Sequence, residues 1–255
     1  MEIPGEALSS GPCNVQWVLS KDWLPDRAEH FWRGFRKPSK NRFGVVTAQS
    51  DHRDEFIATL DHLVVVYGKV AGSLGKNGLF TFPDHHKLAE GLFLSAWSHW
   101  EEFTQALLIA DLSNDAGGFI LANVNKFRLK RGPQRFAEKI LYHPDHPNTF
   151  VNWDYGLVKS RADNLLSSGH RFSTALPRGA DLEKMKRIRN AVAHKSDRAW
   201  ESFRSLVRDA PFSLTAKQMK GITVGRFLVS HNWNTSRVIT ECFSIHRQNA
   251  THLVP

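Results

Sequence analysis

The chain predicts an all-α fold, a helical bundle, and three stretches carry that expectation. Apolar residues recur every three or four positions over 54–74, 83–112 and 181–209, the period of a helix that buries one face. No stretch alternates apolar and polar side chains in the way of a half-buried strand. With 255 residues the chain can bury one sizeable core.

Residues 1–50 read as an irregular extension ahead of a helical domain at 51–255. Pro4, Gly5, Gly11, Pro12, Pro25 and Pro38 interrupt any long element there. Trp17, Trp23, Phe31, Trp32, Phe35 and Phe43 are interleaved with basic residues over 27–42. That mixture suits a platform for single-stranded nucleic acid or, the reading we favour, aromatics that dock on the bundle or a partner. The first helix, 54–74, places Phe56, Leu60, Leu63, Val64, Tyr67 and Ala71 on one face, and Gly72, Gly75 and Gly78 end it. The second opens at Pro83 and Asp84 and runs to about Leu112. Its stripe of Phe93, Ala96, Trp97, Trp100, Phe103, Leu107 and Ala110 is the largest apolar contribution to the core. Glu101 and Glu102 offer a carboxylate to an arginine of the third helix, or form an exposed acidic pair. Residues 126–135 are strongly basic, either a solvated loop or part of an RNA track. Helices are expected at 133–142, at 152–167 and, to close the chain, at 237–247 with Val238, Ile239, Cys242 and Ile245 inward. Residues 216–229 fit neither helix nor strand cleanly.

The third periodic stretch carries the chemistry. Over 181–209 the sequence predicts one helix, capped by Asp181 and ended by Pro211, with Met185, Ile188, Val192, Ala199, Phe203 and Leu206 buried. At about 100° per residue, Arg187, Asn190, His194 and Arg198 share a second, polar stripe, with Arg189 beside it. Metal-free cleavage of RNA needs a proton taken from the 2′-hydroxyl, a proton given to the 5′-oxygen, and stabilised charge on the phosphate. Histidine suits either proton transfer near neutral pH. The planar fork of arginine matches two phosphate oxygens. A surface helix carrying scattered arginines and one histidine is the bland alternative.

The segment Arg189-Asn190-Ala191-Val192-Ala193-His194 resembles the Arg-polar-x-x-x-His motif of the HEPN superfamily, in the form found in prokaryotic HEPN ribonucleases of the RiboL-PSP-HEPN kind. Residues 95–108, with Trp97, Trp100 and Glu101, resemble an early Trp-Glu helix of the same proteins. The resemblance spans roughly 54–246. It implies a HEPN-like bundle, a homodimer that brings two motif helices together, and metal-independent endoribonuclease activity in a toxin or antiviral-defence role. It also implies catalytic roles for Arg189, Asn190 and His194. Arg187, Lys195 and Arg198 flank them as expected RNA-binding cations. A non-catalytic HEPN module that binds RNA or a partner protein is the competing expectation, and an antitoxin or regulatory partner suits either.

The formal charge of +9 favours a polyanionic partner, here RNA. No apolar run approaches the roughly 18 residues of a spanning helix, so no membrane partner is expected. Cys13 and Cys242 are too few and too far apart for a disulfide framework, and the N-terminus lacks a secretory pattern. A cytoplasmic location is expected. Thirteen histidines include His85–His86 and His143–His146, but no cysteine or acidic cluster completes a zinc set. No phosphate-binding or dinucleotide-binding glycine motif occurs. Neither a metal nor an organic cofactor is expected.

Overall fold

Helix α1 (Gln49–Gly72) lies antiparallel to the longest element, α2 (Phe82–Asn114). Phe56 of α1 meets Trp100 and Phe103 of α2, whereas Tyr67 meets His85 near the other end. The structure is a computed structural model and describes residues 48–75, 78–115, 118, 137–138, 140–141, 154–194 and 196–255, all within one compact unit. The aromatic extension, the basic segment 126–135, His143, His146 and Lys195 lie outside those residues. The described residues are predominantly helical, as the periodicity predicts.

α2 starts where its sequence demands. Thr81 and Asp84 form a reciprocal capping box with Pro83 in the first turn, and the backbone N–H groups that a helix start leaves unpaired are thereby used. Its stripe of Phe93, Ala96, Trp100, Phe103, Leu107 and Leu108 is fully or nearly fully buried and forms the centre of the core. Around it pack α1, α3 (Tyr155–Leu165), α4 (Gly179–Ala193), α7 (Val224–Ser230) and α8 (Val238–Leu253). α5 (Asp197–Arg208) folds back against α4, and α6 (Ala216–Met219) is a single turn. The ambiguous stretch 216–229 thus becomes α6 and most of α7. A two-residue antiparallel hairpin, β1 (Asn232–Trp233) and β2 (Ser236–Arg237), leads into α8. Val238, Ile239, Cys242 and Ile245 all face inward, as expected, and α8 continues past 247 to Leu253.

The expected single helix over 181–209 is two helices. α4 ends at Ala193, His194 is extended at φ −114° and ψ 102°, and Ser196 caps α5 by accepting the Ala199 N–H on its side chain. Ser196 followed by Asp197 is a helix-start signal. Once α5 begins there, its apolar face can fold back onto α4, which a continuous rod could not do. The start was also misplaced. Asp181 sits in the first turn, bonded to Arg178 and Lys184, and Arg178 holds the cap position.

Five residues expected in the core are not fully buried. Val64 is exposed on α1, and Tyr67, Ala71, Ala199 and Val192, the last at the α4–α5 break, are half-buried. Met185 and Ile188 remain fully buried. Ile188→Asp should therefore unfold the protein, because it buries a charge with nothing to pair it. Val192→Asp should cost no more than about 1–2 kcal/mol. Thermal melts followed by circular dichroism distinguish the two, and equal losses would contradict this placement.

Candidate active site

The polar residues of the motif gather at the C-terminal end of α4. Arg189 and Asn190 lie in its last helical turn, half-buried, and His194 follows the last helical residue, exposed. One guanidinium nitrogen of Arg189 donates to the side-chain oxygen of Asn190 at 3.1 Å and meets His194 Nε2 at 3.2 Å. Arginine has no acceptor, so in this contact Nε2 must accept and the ring proton must sit on Nδ1. The three motif residues therefore form one connected unit. The break after Ala193 makes the contact possible, since extended backbone at His194 frees the imidazole from the helix surface.

The flanking cations separate. Arg187 turns toward α5, donating from Nε to Ser202 Oγ at 3.1 Å and from a second nitrogen to the Ser202 carbonyl. It straps the two helices together. Arg198 is exposed in the first turn of α5, so it does not share a helical stripe with Arg187 and Asn190. The continuous stripe was a consequence of the continuous helix, and it ends with it. Lys186, which the sequence did not single out, forms an ion pair with Asp154 at the N-cap of α3, and that hydrogen bond raises the lysine pKa. Neither Glu101 nor Glu102 of α2 pairs with an arginine of α4. Glu101 accepts the Trp97 indole N–H at 2.8 Å, and Glu102 pairs with His99.

A groove of about 290 Å3 opens beside His194. Ala191, Val192 and His194 form one wall and Ser196, Asp197 and Trp200 another, with Lys87, Glu90, Thr223 and Val224 opposite. α7 closes that far side because Gly225 passes unusually near α2. A Cβ on Gly225 would lie 2.3 Å from the His86 carbonyl oxygen, so only glycine permits the crossing. The Gly225 N–H donates to Glu90 at 2.9 Å, and the second oxygen of Glu90 takes Lys87 at 2.7 Å. Trp200, Glu90 and Thr223 were not singled out from the sequence. Trp200 sits one turn into a helix whose start was missed, while Glu90 and Thr223 come from elements far apart in the chain.

No group of three or more histidine, cysteine, aspartate or glutamate side chains is placed to hold a metal among the described residues. Within those residues no helix is long and apolar enough to cross a membrane. Comparison of the chain with family models, with curated proteins and with solved structures found no match.

Proposed function

We propose that the chain is a metal-independent endoribonuclease of HEPN type, with a composite site formed where two copies bring their Arg189–His194 ends together. The observation that carries the reading is the guanidinium of Arg189 joining Asn190 and His194 Nε2 at an exposed helix end. An incoming phosphate competes for that guanidinium and forms the stronger, charge-assisted bonds. His194 Nε2 is then released with its lone pair free, ready to act as a base. It takes the proton of the 2′-hydroxyl, the 2′-oxygen bonds to phosphorus, and the bond from phosphorus to the 5′-oxygen breaks. The leaving oxygen is protonated by the partner subunit's His194 or by a water. Asn190 holds Arg189 in place throughout.

A homodimer meets the need for both an acid and a base, because one α4 end supplies one histidine. The net charge of +9 supports an RNA substrate held largely through its phosphates, with Arg198 exposed in the first turn of α5 just after the site. A toxin or antiviral-defence role, cytoplasmic and restrained by an antitoxin or regulatory partner, belongs to the same proposal. The test is incubation of the purified protein with total RNA in EDTA. Cleavage should persist, and the new ends should carry 2′,3′-cyclic phosphates, because the attacking group is the RNA's own hydroxyl. Undiminished RNA binding without cleavage would transfer the same face to a non-catalytic module.

A further inference from the structure

The groove beside the α4 end holds charged groups that the proposed chemistry does not use. The groove is not a phosphate site. It holds the carboxylates of Glu90 and Asp197, and its one lysine, Lys87, is already paired with Glu90. It is mixed in character, with apolar walls from Ala191, Val192 and Val224 and an indole, Trp200, that is half-buried. Behind it Trp200 leans on Phe203, ring centroids 5.3 Å apart, which holds the indole steady. At about 290 Å3 the groove sits at the lower end of small-molecule sites, near the roughly 300 Å3 at which these begin, and has room for one flat group.

We propose that this groove is the nucleobase subsite of the ribonuclease, taking the base next to the scissile phosphate by stacking on Trp200. The inference rests on the ribonuclease reading, because His194 lines the groove and also holds the contact to Arg189. A base seated against Trp200 directs its own phosphate toward His194, the groove residue that Arg189 contacts. Stacking on an aromatic side chain accepts any base. The carboxylate of Asp197, exposed at the rim, narrows the choice by accepting N–H groups. Bases with an exocyclic amine are favoured over uracil. Guanine fits best, since its adjacent N1–H and amino group match the two oxygens of one carboxylate.

The test measures binding apart from cleavage. Calorimetric titration of the full chain with GMP, AMP, CMP and UMP should give the tightest binding with GMP and the weakest with UMP. Trp200→Leu should weaken GMP binding by about ten-fold or more. Asp197→Asn should remove the preference for GMP over UMP. Trp200 also packs against the core, so Ala191→Phe provides a second variant, which fills the groove without removing a buried side chain. It should abolish nucleotide binding while thermal melting is unchanged. GMP binding that survives both Trp200→Leu and Ala191→Phe overturns the subsite, even if the protein cleaves RNA. Binding that these variants abolish, in a protein that never cleaves RNA, keeps the subsite and overturns the ribonuclease reading instead.

Discussion

His194→Ala should lower RNA cleavage by about 10²- to 10⁴-fold, the usual worth of a positioned general acid or base. The fold should be unchanged. His194 is exposed after the last turn of α4, and truncating its ring opens no cavity. Arg189→Ala should cost at least as much, because it removes the positive charge that stabilises the scissile phosphate and also the group that positions the imidazole. Arg189→Lys is the sharper variant. It keeps the charge but loses the fork that reaches Asn190 and His194 together, and it should recover only a small part of the rate. The two alanine variants combined should be little worse than either alone, since the residues act as one unit. Rates on a defined RNA, measured beside thermal melts, decide the matter. A His194→Ala protein that cleaves at the parent rate removes His194 from the mechanism.

The second large effect is on stability. His246 of α8 is completely buried among Phe56, Trp97 and Trp100, with its ring centroid 5.3 to 6.1 Å from theirs. Neither ring nitrogen has a hydrogen-bond partner among the described residues. Burial penalises the charged imidazolium and pushes its pKa from 6.5 down to about 3. Above about pH 6.5 the ring is neutral in both folded and unfolded chains and stability is unaffected. Below that pH the unfolded chain takes up a proton that the folded one refuses. Stability then falls by about 1.4 kcal/mol per pH unit, and the loss levels off only near pH 3. At pH 4.5 the loss is about 3 kcal/mol, a large share of a typical total of roughly 5–15 kcal/mol. His246→Phe keeps an aromatic ring in the cluster and removes the proton site. Urea unfolding at pH 7.5 and pH 4.5 should show that it loses about 3 kcal/mol less than the parent between the two. The same pH dependence in both proteins would assign the acid sensitivity to other groups.

Helix positions were largely legible in the sequence because their causes are local. The stripe of α2 from Phe93 to Leu108 repeats at helical spacing, Thr81-x-x-Asp84 marks its start, and Val238, Ile239, Cys242 and Ile245 mark the inward face of α8. The contact between Arg189 and His194 was not legible, because five positions lie about 140° apart around a continuous helix and only the break lets the two side chains meet. What periodicity concealed is the break at His194. The apolar spacing of 181–209 runs through it almost undisturbed, so only the local pair Ser196–Asp197 signals a new start. Whether that signal wins depends on whether α5 gains more by continuing α4 or by folding back to bury Phe203, Leu206 and Val207. Burying three large apolar side chains outweighs the few backbone hydrogen bonds lost at a break. That choice sent Arg187 to Ser202, separated it from Arg198, freed the His194 ring to meet Arg189, and opened the groove under Trp200. Glu90 and Thr223 reach the same groove from α2 and the N-terminal end of α7, more than a hundred residues apart, through the close crossing at Gly225. Contacts of that range come from tertiary packing, and no spacing rule along the chain contains them.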